Sequence, residues 1–295
     1  MKLWTHYHTP ATIDEALALL THYAGNGRVI AGGTDLLVDA RANGVAVSEA
    51  LIDITQISEM GGITQDDHHI VIGAGVSHSQ IVKSPLLQTN AICLVESCGV
   101  VGGPQVRNVA TLGGNVAHAL PAADGTVSLV ALDAEAEVVK DGDRQWLPIG
   151  ALFLGPGKSA LNPTHDILLR FRFAPIGIRE ATAFSRIMRP QGVALPIMGC
   201  AVWVRLDDAR LHVEAARICI APVSPTPARA TEVETALIGQ IANQITIDTV
   251  AALAQSVLHP RTSKYRATAE YRVEMISVLL RRTLSAAFDR AHAQN

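Results

Sequence analysis

The sequence predicts an α+β chain in two parts, with the break near residue 177. Three observations predict it. Residues 1–177 interleave short β-rich runs, glycine pairs and helical spacing; Ala174-Pro175-Ile176-Gly177 reads as a linker; and beyond it a strand pair is followed by three helical stretches. The first part, 1–177, divides into units of about 1–55 and 56–177, and the second, 178–295, is a small antiparallel sheet with helices.

Composition sets the frame. At 295 residues the chain is long for one core, and 48% apolar against 17% charged residues gives enough apolar surface to exclude disorder. A net charge of -3 supplies no general basic field, which disfavours a nucleic-acid partner and points to small molecules or proteins. The start of the chain lacks the basic and apolar regions of a secretory signal, and no apolar run approaches membrane-spanning length. Four sparse cysteines, Cys93, Cys98, Cys200 and Cys219, contain no Cys-x-x-Cys pair, so a reduced, cytoplasmic protein is expected.

Thr12 and Glu15 fit a capping box, with Ile13, Ala16, Leu17 and Leu20 at helical spacing behind them, so a helix runs to about Tyr23. Residues 28–31 are a short strand feeding the pair Gly32-Gly33, and 35–40 restart as helix. Residues 50–54 and 69–73 are β-rich runs with no evident chemistry between them. Ser77 caps a helix to Lys83, Pro85 opens another towards Cys98, and the glycine-rich stretch 99–115 reads as a loop wrapped around something. After Pro121 come a short helix to Leu129, a strand over 134–140, an Asp141-Gly142 hairpin turn back through Trp146, and a strand ending at Phe173. The last part offers strands over 200–206 and 211–220 around Asp207-Asp208, then helices over 230–238, 247–258 and 269–291.

Two stretches concentrate potential chemistry. Ile30-Ala31-Gly32-Gly33-Thr34-Asp35-Leu36 and Gln105-Val106-Arg107-Asn108-Val109-Ala110-Thr111-Leu112-Gly113-Gly114-Asn115 each put a glycine pair beside an apolar run and beside hydroxyl, carboxylate or amide groups. Bare backbone lets N–H groups approach a bulky anion, and two such bends can grip one diphosphate. Neither is Gly-x-Gly-x-x-Gly, so a Rossmann nicotinamide site is not supported. Gly155-Pro156-Gly157-Lys158-Ser159 lacks the first glycine of a phosphate loop, where Leu152 stands. His6, His8, His68, His69 and His78 fit no metal-site spacing and read as surface or loop histidines; His118 reads as structural. Cys93 and Cys98 have the spacing of the first two ligands of a plant-type iron–sulfur cluster, but Val101 stands where the third belongs.

Taken together, AGGTDLL and QVRNVATLGGN, about 75 residues apart and followed nine residues later by Asp124, resemble the FAD-binding subunits of the molybdenum hydroxylases of the xanthine dehydrogenase and carbon monoxide dehydrogenase types. The similarity runs on to Glu270-Tyr271-Arg272. The resemblance implies a two-part FAD-binding domain of this flavoprotein (PCMH-like) type and a C-terminal flavoprotein domain. It implies that Val29, Ile30, Ala31, Gly32, Gly33, Thr34, Asp35 and Leu36 form the first FAD loop, that Val101 lies beside the flavin region, and that Thr111, Leu112, Gly113, Gly114 and Asn115 form the second loop. Asp124 then binds the cofactor and Leu168 touches the flavin. The family often has Lys after the Phe of a Phe-Lys pair; here Phe184 is followed by Ser185, with Arg186 next.

By the same resemblance the chain is an oxidoreductase subunit carrying FAD, with no catalytic residue and no metal of its own. A small partner subunit carries two [2Fe-2S] clusters, a large one carries the molybdopterin cofactor, and electrons leave to NAD+, quinone or oxygen; a dimer of heterotrimers is one assembly this allows. Two alternatives remain open at the sequence level. One is a self-sufficient FAD oxidoreductase resembling UDP-N-acetylenolpyruvoylglucosamine reductase, and the other a non-enzymatic scaffold that has lost FAD.

Overall fold

A computed structural model describes residues 3–43, 47–189, 195–264 and 266–294. The chain begins with β1 (His6–His8), α1 (Ile13–His22), β2 (Gly27–Ile30), α2 (Thr34–Asn43) and β3 (Ala50–Asp53). Its three strands pair in parallel in the order β1-β3-β2. The Thr12 hydroxyl caps α1 by accepting the Glu15 amide at 3.2 Å, but the Glu15 carboxylate returns to the amide of Ala11 at 2.8 Å, so only half of the expected box forms. Ile13, Ala16 and Leu20 form the buried stripe of α1.

A second sheet follows. Its strands are β4 (Ile63–Gln65), β5 (Ile70–Gly73), β6 (Glu135–Lys140), β7 (Asp143–Pro148) and, after the hairpin β8 (Phe153–Gly155) and β9 (Lys158–Ser159), β10 (Ile167–Phe173). They run antiparallel in the order β4-β5-β10-β6-β7. The predicted turn joins β6 to β7, with Asp141 and Gly142 both at positive φ (53° and 89°). The stretch around Gly157 that superficially resembles a phosphate loop is the β8–β9 hairpin.

Between β5 and β6 lie six helices: α3 (His78–Lys83), α4 (Pro85–Asn90), α5 (Ile92–Gly99), α6 (Pro104–Val109), α7 (Leu112–Ala117) and α8 (Asp124–Ala131). The single helix expected from Pro85 is broken at Ala91, whose φ of -155° and ψ of 55° are not helical. The expected open loop over 99–115 is instead largely helical. Pro104 at the start of α6 loses no hydrogen bond, and the Thr111 hydroxyl caps α7, which together outweigh the poor helix propensity of the glycines.

The last unit is a three-stranded antiparallel sheet, β11 (Glu180–Met188), β12 (Pro196–Leu206) and β13 (Val213–Ala221), followed by α9 (Thr231–Leu237), α10 (Gln244–Val257) and α11 (Ala269–Ala293). The sequence showed two of these strands. β11 escapes because Ala181, Thr182, Ala183 and Phe184 are all buried, so no apolar/polar alternation marks it. One face of this sheet, through Cys200, Val202 and Val204, shares a core with α10 and α11; the other, through Phe184, Ala201 and Cys219, joins the core of the first two units beside α5 and α8. The open side of β11 is capped: the Phe184 amide donates to Glu96 Oε2 at 2.7 Å, and the Thr182 carbonyl accepts Arg290 Nη1 at 2.7 Å. Among the described residues no helix is long and apolar enough to cross a membrane.

Candidate functional site

The first glycine bend lies where β2 ends and α2 begins. Gly33 turns the chain at a φ of 65°, in the left-handed region that glycine tolerates without strain. Gly32 has a different task. A Cβ on it would lie 2.3 Å from the Val109 carbonyl oxygen and 2.9 Å from Ala110 Cα, so the first bend rests directly on the backbone that leads into Thr111. The two stretches, far apart along the chain, meet in space.

The second bend is fixed from behind by the segment that follows β5. The Leu112 amide donates to the Val76 carbonyl at 3.0 Å, the Gly113 amide to Ala74 at 2.9 Å, and the His78 amide to Ala110 at 3.1 Å. A Cβ on Gly113 would meet Ala74 at 2.6 Å, whereas one on Gly114 would meet only the Thr111 hydroxyl, at 3.2 Å. The glycines therefore divide the work. Gly32 and Gly113 let chain segments touch one another, a use the sequence reading had assigned to an anion, and Gly114 keeps an exposed backbone.

Donors remain at the start of α2. Its first intrahelical bond is from the Leu37 amide to the Gly33 carbonyl, so the amides of Thr34, Asp35 and Leu36 have no acceptor within the helix, and no described side chain caps that end. The helix dipole adds positive potential there. Other polar groups of the second stretch already have partners within the chain. Arg107 donates to the carbonyls of Val101 and Gly102 at 3.0 and 2.8 Å, Asn108 Oδ1 accepts from Ser79 at 2.6 Å, and Asn115 Oδ1 accepts the Thr126 amide at 3.3 Å.

Asp124 opens α8 and is 5% exposed. Its Oδ2 lies 2.6 Å from Nη1 of Arg186 on β11, while its Oδ1 and the Arg186 Nε are buried without partners. Burial pushes the Asp124 carboxyl up to about 6, against the pull of Arg186 and Arg266. His78 is also buried rather than a surface histidine. Burial, with a smaller contribution from Arg107, pulls it down to about 4, so it is neutral at pH 7. Ser185 pairs with Cys200 in the sheet.

Beside the two bends is a cleft of about 880 Å³. Ile30, Ala31, Gly32 and Thr111 line it; Val29, Gly33, Thr34, Asp35, Leu36, Val101, Leu112, Gly113, Gly114, Asn115, Asp124 and Leu168 do not. Val29 is held in β2 with its amide on the Pro163 carbonyl, and Leu168, 7% exposed, sits in β10 opposite Val138. Sequence reasoning missed the wall formed by Trp4, Tyr7, Asp53 and Thr55. Tyr7 donates to Asp53 Oδ2 at 2.6 Å, and Asp53 Oδ1 accepts the amide and hydroxyl of Thr55 at 2.9 and 2.7 Å. Burial and that carboxylate push the Tyr7 phenol up to about 12. A signal existed: Asp53 ends a parallel strand, and ligands of parallel sheets gather at the carboxyl ends.

Comparison with known proteins decides the family. Residues 3–174 match the model described as the FAD binding domain in molybdopterin dehydrogenase, and residues 182–287 match the CO dehydrogenase flavoprotein C-terminal domain. The chain belongs to the FAD-binding subunits of the molybdenum hydroxylase family. It is 31% identical over 290 residues to the putative xanthine dehydrogenase FAD-binding subunit of Escherichia coli (strain K12), covering 95% of each chain. It is 29% identical to the carbon monoxide dehydrogenase medium chain of Hydrogenophaga pseudoflava, covering 96% of this chain and 97% of that one. The solved carbon monoxide dehydrogenase from that organism lacking the Mo-pyranopterin moiety superposes with a TM-score of 0.89 at 28% identity, over 98% of this chain and 99% of that one.

This family member is thus an oxidoreductase subunit whose cofactor is FAD. The site suits that cofactor. Uncapped amides at the positive end of α2 match a diphosphate, the bends converge beside them, and Asp124 holds an unused acceptor.

Proposed function

We propose that this chain is the electron-transfer subunit of a cytoplasmic, heteromeric molybdenum hydroxylase. It receives electrons from [2Fe-2S] clusters on a small partner and passes them to NAD+, quinone or oxygen, while a large partner holds the molybdopterin cofactor and selects the substrate. The observation that carries this reading is the contact of Gly32 with Val109 and Ala110, which brings the two glycine bends to one place. We assign the cofactor site to residues 29–36, 101, 111–115, 124 and 168, and the domain boundary to the neighbourhood of residue 177.

When bound, FAD supplies the exchange between one-electron input and two-electron output. The protein's part is to bind and orient. The amides of Thr34, Asp35 and Leu36 would offset phosphate charge, aided by the dipole of α2, and Gly114 would present bare backbone on the second bend. Asp124, held by Arg186, supplies a fixed acceptor. No residue of the site is placed as a nucleophile.

Purification of the chain together with the two partner subunits tests the proposal. The expected complex is yellow, and its flavin absorbance bleaches when the hydroxylated substrate is added; a complex without flavin overturns the reading. The alternative reductase reading is weaker because the two domain models that match, over residues 3–174 and 182–287, are those of molybdopterin dehydrogenase and CO dehydrogenase flavoproteins.

A further inference from the structure

We propose that Arg186 is a positioning residue for the second glycine bend: it fixes Asp124 at the head of α8, and α8 holds Asn115. The contacts are continuous. Arg186 Nη1 lies 2.6 Å from Asp124 Oδ2, with side-chain exposures of 5% and 6%. Two residues further along α8 the Thr126 amide donates to Asn115 Oδ1 at 3.3 Å. Gly125 lies between them, and a Cβ there would be 2.9 Å from Leu112 Cδ1 and 3.1 Å from Asn115 Oδ1. The first turn of α8 therefore lies against the bend with no slack, and a shift at Asp124 has to move Leu112 and Asn115.

The physical lever is the buried charge. Removing Arg186 leaves the buried Asp124 carboxylate without its hydrogen-bonded partner and with only the weaker pull of Arg266, which forces it either to take up a proton or to turn outward and draw the start of α8 with it. The charged groups that act on Asp124 are Arg186 from β11 and Arg266 from the segment before α11, while Cys98 of α5 is a buried, neutral thiol whose ionisation Asp124 opposes. Arg186 belongs to the C-terminal sheet, whereas the bend belongs to the preceding unit. Docking of the C-terminal sheet thus sets the geometry of a bend that it does not touch through Asn115 itself.

This inference rests on the reading of residues 111–115 as a cofactor bend for its second readout but not for its first. Hydrogen–deuterium exchange on the full chain without cofactor reads the bend directly. Arg186→Met is expected to raise exchange at the amides of Gly113, Asn115 and Thr126 at least tenfold while leaving β12 unchanged; unaltered exchange at these amides overturns the proposal. If Arg186→Met does not fold, the double variant Asp124→Leu with Arg186→Met, which removes the uncompensated carboxylate together with its partner, must fold and exchange at these amides as slowly as the wild type; raised exchange there overturns the buried-charge lever.

The second readout is FAD affinity. It is expected to weaken at least tenfold in Arg186→Met and to recover in Arg186→Lys. In the wild type FAD release should quicken as pH falls through about 6, where Asp124 gains a proton and the pair dissolves, and Asp124→Asn should abolish that step. Faster exchange in a chain that binds no FAD even as wild type would sink the cofactor reading and sustain the positioning role. Equal FAD affinity with unchanged exchange would do the reverse.

Discussion

Gly32 and Gly150 show how the same residue type carries opposite weight. A methyl group on Gly32 would overlap the Val109 carbonyl at 2.3 Å, whereas one on Gly150 meets nothing within 4 Å. Gly32→Ala is expected to lower stability by about 1–3 kcal/mol, the usual cost of overpacking, and to strip the flavin; Gly150→Ala should leave both unchanged. Thermal unfolding and flavin content measure this, and a Gly32→Ala protein with full flavin would refute the contact's importance.

Acid stability belongs to the same scale. Asp124 has a raised carboxyl in the fold, so the folded state binds a proton first and its contribution to stability falls as pH rises from about 4 to about 6. His78 is lowered to about 4 in the fold, so between about 6.5 and 4 the unfolded chain takes the proton, and its contribution is lost as pH falls. The two slopes oppose in one window, each up to about 1.4 kcal/mol per pH unit. Urea unfolding should therefore show Asp124→Asn losing stability on acidification more steeply than wild type, and His78→Leu less steeply. Parallel profiles for all three would refute the opposing pair. At this scale the two glycine stretches were legible in the sequence as candidates, and Asp124 as one through the resemblance. Their contacts were not: that Gly32 serves Val109, or that Arg186 reaches Asp124, depends on long-range packing that no local pattern encodes.

Elements with their own start signals were read correctly. Ser77 and Gln80 form a complete capping box on α3, with the Ser77 amide on Gln80 Oε1 at 2.8 Å and the Gln80 amide on the Ser77 hydroxyl at 3.3 Å. Because the same segment holds the second bend from behind, Ser77→Ala should cost about 1 kcal/mol in stability and weaken FAD binding modestly, measured by chemical unfolding and flavin titration. No loss of stability would show that the cap is redundant. Elements whose signals are tertiary were misread. β11 has no alternation because both faces are covered, and α7 contains a glycine pair that propensity rejects but Thr111 and the segment behind β5 hold in place.

At the scale of the molecule, the described residues pack into two apolar cores separated by the C-terminal sheet, which contributes one face to each. The ion pair between Glu96 on α5 and Arg290 near the end of α11 spans that arrangement and meets β11 at its open side. Arg290→Met is expected to destabilise the C-terminal sheet against the first core, giving a lower and broader thermal transition; an unchanged, sharp transition would refute the coupling. The two-part plan, an FAD-binding domain followed by a C-terminal flavoprotein domain, was visible in the sequence as a change of texture. The sharing of one sheet between two cores was invisible there, because it arises from which face of each β12 residue points where.

The plugged side of β11 has a consequence for behaviour at high concentration. A bare terminal strand invites a neighbouring molecule to extend the sheet, and from there to polymerise. Here the Phe184 amide and the Thr182 carbonyl are already satisfied by side chains of the same molecule. Docking of a foreign strand at Thr182 and Phe184 is thereby opposed, and that part of the border is guarded against runaway self-association.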